Sequence, residues 1–169
     1  MIRLLSLLLT LCVALPALAQ DAGALKAEAD RAYKEGDYTL ALEKLDAAFE
    51  VSQNPALRAN MGLVYNAMGD YASAVEAFEA FLASDPPAAK AAKAQAFIAK
   101  LMVPVTFSST PPGAQVFLAT KPKPLGTTPL EAQVVAGSHQ VRFVLKGHEP
   151  RTQRLRTYPK RPAQLAVML

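Results

Sequence analysis

His139 and His148 are the side chains of widest chemical reach in this sequence, and neither is placed to use it. A metal site draws three or four His, Cys, Asp or Glu donors together at short spacing, and neither histidine has such donors at ligand spacing. His139 falls in an alternating stretch where the pattern points inward, the place of a hydrogen-bonded structural histidine. His148 follows Gly147 in a turn. No Gly-rich phosphate loop and no Gly-x-Ser-x-Gly elbow occurs. The carboxylates are spread along the chain instead of being paired in an apolar setting that would raise one pKa. The lone cysteine, Cys12, sits in an N-terminal apolar run, with Leu11 before it where a lipidation site wants a small residue. Downstream of it there is no thiol for a disulfide, a metal or a nucleophile. The expectation is a protein without catalytic centre, metal or cofactor, whose chemistry is recognition. The groups on offer for that are basic: Arg142 and Lys146 on the outward face of one alternating stretch, Arg154 and Arg156 on another, and Lys121, Lys123, Lys160 and Arg161 in loops.

Charge divides the chain in two. Residues 20–101 hold 8 Lys/Arg against 12 Asp/Glu, a net −4, and residues 102–169 hold 9 against 2, a net +7. A change of sign half-way along marks two units with different surfaces. Ahead of both, Met1-Ile2-Arg3 is a basic start, Leu4 to Leu15 is apolar, and Ala17-Leu18-Ala19 offers small residues to a signal peptidase. Residues 1–19 therefore read as a cleaved secretory signal. The competing reading, a retained anchor, is opposed by an apolar run well short of the roughly 20 residues that span a bilayer. The mature protein is expected to be periplasmic or secreted, and not membrane-spanning.

The positions of the basic groups depend on the elements that carry them. In the acidic half, Gly36-Asp37-Tyr38 recurs as Gly69-Asp70-Tyr71, 33 positions later, and at the same offset Ala29 matches Gly62, Ala41 matches Ala74, Leu45 matches Phe78 and Phe49 matches Leu82. Small pairs with small and large with large. Each unit reads as two helices about a tight turn: the glycine takes the left-handed conformation that ends the first helix, and the aspartate offers its carboxylate to the free N–H groups of the second. Asn54-Pro55 and Asp85-Pro86-Pro87 break the chain between units, and Ala88 to Leu101 reads as a last helix over the open end. The pattern resembles the tetratricopeptide repeat over residues 24–102. Repeat two is the closer match; in repeat one Ala32 stands for Tyr65, and Gln53 for Pro86. The resemblance implies a concave groove lined by the first helices, with Lys26, Asp30, Tyr33 and Lys34 from repeat one, Leu63 and Asn66 from repeat two, and Lys90, Lys93 and Phe97 from the last helix. Asn66 is expected to matter most there, since an amide pairs with both N–H and C=O of a bound peptide. Stacks of this kind need about three units to bury a continuous core, so this short one must lean on the second domain, another copy of itself or a partner.

The basic half is β-branched and punctuated by turns. Val103 to Phe107, Val116 to Leu118, His139 to Lys146 and Gln164 to Leu169 alternate as strands, with Val105, Phe107, Val141, Phe143, Leu145, Leu165, Val167 and Leu169 inward. The turns between them predict a small antiparallel sandwich. In order, Pro111-Pro112-Gly113-Ala114, Gly126-Thr127-Thr128-Pro129, Gly137-Ser138-His139 and Gly147-His148 resemble the motifs of the PEGA domain, with Pro112 where the family has its glutamate, a His for the usual Tyr after Gly147, and a departing Lys-Pro-Lys-Pro loop. That resemblance implies a binding or spacing role on an envelope or surface protein and no active site.

The expected architecture is thus an α + β two-domain chain: signal 1–19, a repeat-type all-α module 20–102, and a PEGA-like β-sandwich 103–169. The expected function is an exported, non-enzymatic interaction or scaffold module of the bacterial envelope, its groove holding a protein segment. The alternative is a structural protein that binds an anionic envelope glycan through Lys121, Lys123, Arg142, Lys146, Arg154 and Arg156, the repeats serving to multimerise it. Nucleic acid is not an expected partner, since the basic half lacks stacking aromatics.

Overall fold

The computed structural model describes residues 14–169, with side chains from Asp21 onward. Five helices, α1 (Ala14–Glu35), α2 (Tyr38–Ser52), α3 (Ala56–Met68), α4 (Tyr71–Leu82) and α5 (Ala88–Leu101), are followed by seven strands, β1 (Met102–Thr110), β2 (Gln115–Leu118), β3 (Gly126–Thr127), β4 (Leu130–Val135), β5 (Gly137–Val144), β6 (Arg151–Thr157) and β7 (Ala163–Met168). The basic start and most of the apolar run of the expected signal lie outside the described residues, and α1 runs across the cleavage point expected after Ala19. No described helix is long and apolar enough to cross a membrane.

The recurring sequence builds the same turn twice. Gly36 and Gly69 take φ of 82° and 78°. The N–H of Asp37 donates to the Ala32 carbonyl at 2.9 Å and that of Asp70 to the Tyr65 carbonyl at 3.0 Å. Asp37 Oδ1 accepts from the Leu40 N–H at 3.0 Å, and Asp70 Oδ1 from the Ser73 N–H at 3.2 Å, so both second helices start on a carboxylate cap. Successive helices then pack side by side. Alanines let them approach: Ala29, Ala32, Ala41 and Ala48 are buried around Leu45 between α1, α2 and α3. In the second unit the corresponding space is taken by Phe78 and Phe81, with Ala74 and Ala94 beside them. Gly62 lets the ring come close, since a Cβ on it would stand 3.0 Å from the Phe78 ring.

The strands form two sheets, β4-β1-β7 and β3-β2-β5-β6, which share one core. Val103, Val105 and Phe107 of β1 meet Val116, Val141 and Phe143 of the other sheet, Phe107 and Phe143 touching edge to face with centroids 6.4 Å apart. The expectation of an all-antiparallel arrangement is corrected at one pair: β7 runs parallel to β1, Val105 opposite Ala163 and Thr110 opposite Met168. A tight hairpin forces antiparallel neighbours, but β7 follows β6, a strand of the other sheet, and a chain that changes sheets is free of that constraint. The two turns expected from the family motifs are clasped together: Thr128 Oγ1 accepts from the N–H groups of Ala114 at 3.0 Å and Gly113 at 3.2 Å, while the Thr128 N–H donates to the Ala114 carbonyl at 2.9 Å.

No linker separates the two units. Leu101 ends α5 and Met102 begins β1. The Ala136 N–H donates to the Leu101 carbonyl at 2.7 Å. Val135 packs against the core of α4 and α5, and Tyr71 packs against the cores of both units.

Candidate functional site

The stripe Ala56, Ala59, Asn60, Leu63 recurs every three or four residues on α3 and so shares one face. That face forms a wall of two recesses. The larger, of about 320 Å³, is closed by Phe78 and Phe81 of α4, by Lys90, Lys93, Ala94 and Phe97 of α5, and by Lys26 of α1. The smaller, of about 70 Å³, lies between α1 and α3 and is lined by Ala29, Asp30, Tyr33, Leu45, Asn60, Leu63 and Val64. Asn60 and Leu63 belong to both, which makes the two recesses one groove.

Of the groove residues expected from the sequence, Lys26, Leu63, Lys90, Lys93 and Phe97 line the larger recess and Asp30, Tyr33 and Leu63 the smaller. Lys34 and Asn66 line neither. Asn66 is corrected: it lies seven residues beyond Ala59 and so on the same side of α3, but about 10 Å further along the axis. Lys34 lies about 12 Å along α1 from Lys26, beyond the reach of the recess. The amide that does face the groove is Asn60, and the i, i+3 spacing from Asn60 to Leu63 is the signal that could have found it.

The floor of the groove is apolar. Phe78 and Phe97 stack with centroids 5.4 Å apart and planes within 8°, and the Lys100 ammonium sits 5.3 Å from the Phe97 centroid. The rim carries cations. Lys26 Nζ donates to Asp30 Oδ2 at 2.7 Å, an exposed pair of i, i+4 type, whereas Lys90 and Lys93 form no ion pair among the described residues. Away from the groove, Lys44 bonds Glu28 at 2.9 Å. That hydrogen bond and the neighbouring charge raise the Lys44 pKa above its ordinary value. The stabilisation this implies is present at neutral pH and is lost as pH rises through the lysine range.

On the β-unit, Arg142, Arg154 and Arg156 are exposed on the outer face of the β3-β2-β5-β6 sheet, as the alternation requires. Arg142 lies over the Phe117 ring, its guanidinium carbon 5.0 Å from the centroid. Lys121 joins Arg142 at a shallow recess of about 430 Å³. Lys146 is corrected: β5 ends at Val144, so Lys146 stands in the following turn and not on the strand face. Lys123 is exposed in the β2–β3 loop. His139 is half-buried with Nε2 2.7 Å from the Val135 carbonyl, the structural role its pattern implied, and His148 lies exposed in the β5–β6 turn. Among the described residues no three His, Cys, Asp or Glu side chains gather as a metal site would require.

Residues 102–167 match the family model of the PEGA domain. The match begins at the first residue of β1 and ends one residue short of the end of β7, so it coincides with the β-unit, and this region of the chain is a PEGA domain. No curated protein matches the chain.

Proposed function

We propose that the chain is an interaction module of the bacterial envelope, in which the helical unit, two tetratricopeptide-type repeats closed by α5, holds a segment of a protein partner. The observation that carries this reading is the groove of α1, α3, α4 and α5, with its aromatic floor and its cationic rim of Lys26, Lys90 and Lys93. Fully burying one large apolar side chain contributes about 1.5–3 kcal/mol, while micromolar binding needs about 8 kcal/mol. A single anchor is therefore not enough, and the bound segment spans both recesses, placing an apolar side chain against Phe78 and Phe97 and backbone groups against Asn60. Export by residues 1–19 is part of the proposal; the PEGA domain supports it through the extracellular setting typical of that family.

Crosslinking pull-down from an envelope fraction tests the groove. Lys90 and Lys93 are exposed, so the K90E/K93E double variant keeps the fold, which circular dichroism checks. The wild-type chain should recover a partner that the double variant loses. Equal recovery of every captured protein by both would sink the groove reading.

A further inference from the structure

The outer face of the β3-β2-β5-β6 sheet is a second surface, independent of the groove. Register places Phe117, Arg142 and Thr152 side by side across β2, β5 and β6. The next row pairs Gln140 with Arg154, and the one after it Ser138 with Arg156. The β2–β3 loop brings Lys121 and Pro122 to the edge of the first row, and Phe117, Lys121, Gln140, Arg142 and Thr152 line the recess of about 430 Å³.

Each of these groups has a chemical part. A guanidinium stacked on an aromatic ring is held in orientation while its N–H edge stays free to grip an oxyanion. Lys121 adds a second cation. Gln140 both donates and accepts through its amide, and Thr152 does so through its hydroxyl, which suits neighbouring sugar hydroxyls. The cations are not neutralised internally: the β-unit holds only Glu131 and Glu149 as side-chain carboxylates, and among the described residues neither forms an ion pair. Beyond the recess, Arg154 and Arg156 continue the charge along β6 at about 7 Å spacing. The face also lacks the apolar centre of a protein interface, since the large exposed apolar side chains lie on the helices, on β7 and, as Tyr158, after the end of β6. The Phe117 ring, covered by Arg142, is not free to stack a base.

We infer that this recess is a subsite for an acidic sugar unit of an anionic polysaccharide, with Arg142 and Lys121 on its oxyanion, Gln140 and Thr152 on adjacent hydroxyls, and Arg154 and Arg156 on the anions of following units. Affinity electrophoresis of the full chain tests it, using alginate as the polyuronate, dextran sulfate as a second anionic sugar polymer, neutral dextran, and single-stranded DNA. Alginate or dextran sulfate should retard the protein and neutral dextran should not; the preferred one of the two identifies the oxyanion as carboxylate or sulfate. R142Q should weaken binding about tenfold or more, and T152V several-fold without any change of charge. R31Q, with the same change of net charge at an exposed position of α1 outside the recess, should stay within about twofold. Thermal unfolding of each variant reports that the fold is kept, and T152V stands as the independent arm should R142Q not fold. Equal losses in R142Q and R31Q, full binding by T152V, DNA retardation as strong as that by both sugar polymers, or no retardation by either polymer would each overturn the proposal.

Discussion

The two halves of this chain present surfaces of opposite kinds. The helical unit keeps its candidate surface in a concavity: the buried Phe78, Phe81 and Ala94 and the half-buried Leu63 and Phe97 line a groove between α3, α4 and α5, and the cations stand round its rim. The β-unit keeps most of its large apolar side chains inside, and presents an outward sheet face of Arg, Lys, Gln and Thr around the Phe117 ring. The periodicities explain the difference. A helix packed against helices on two sides still leaves part of its circumference between them, so small residues such as Ala56 and Ala59 become groove lining. A strand has only two faces, and with one given to the core the other is left to polar chemistry. Concave apolar surfaces gain affinity from burial; flat polar ones gain it from charge-assisted hydrogen bonds and are sensitive to salt.

Substitutions in the two units bear on this contrast. The largest effect should come from Phe107→Ala at the centre of the β-core, which should cost about 3–5 kcal/mol. Because Tyr71, Val135 and the Ala136-to-Leu101 hydrogen bond tie the units together, helix ellipticity and amide-hydrogen protection in β5 should lose stability together in one denaturation series. A helical transition that stays where the wild type has it would separate the units and break the comparison into two independent domains. Next, Gly62→Leu should destabilise the chain by about 1–3 kcal/mol in urea, since its side chain has no room beside the Phe78 ring, which is itself stacked on Phe97. Smallest, Asp37→Ala and Asp70→Ala should each cost about 1 kcal/mol, and by similar amounts, because both caps close on a backbone N–H and Asp70 adds only an exposed bond from the Ser73 hydroxyl at 2.7 Å. Clearly unequal losses in thermal melts would show that the recurrence is one of sequence more than of energetics.

Local chemistry was the part of this structure most readable in advance. Gly36-Asp37 and Gly69-Asp70 announce their turns because the left-handed backbone and the carboxylate cap are set by neighbouring residues alone. Val141 and Phe143 announce their strand through strict alternation. What was hidden depended on distant partners. Strand β4, Leu130–Val135, went unmarked because Leu-Glu-Ala-Gln has little β character, and it is a strand through pairing with β1. The parallel course of β7 is a matter of which sheet it joins, which no local pattern records. In the groove, the residues carried over from the repeat pattern were mostly brought together, but Asn66 was not. Asn66 shares its side of α3 with Ala59 but sits about two turns further along, and where along a helix a groove ends is set by the neighbouring elements and not by the local pattern.

The absence of a linker between α5 and β1 has a mechanical meaning. β1 is the middle strand of its sheet, bonded to β4 on one side and β7 on the other. Tension between a partner held by the helices and a polymer held by the β-unit would pull β1 lengthwise, loading both rows of hydrogen bonds in shear at once instead of peeling them one by one. A chain joined in this way would act as a tether that resists being drawn out.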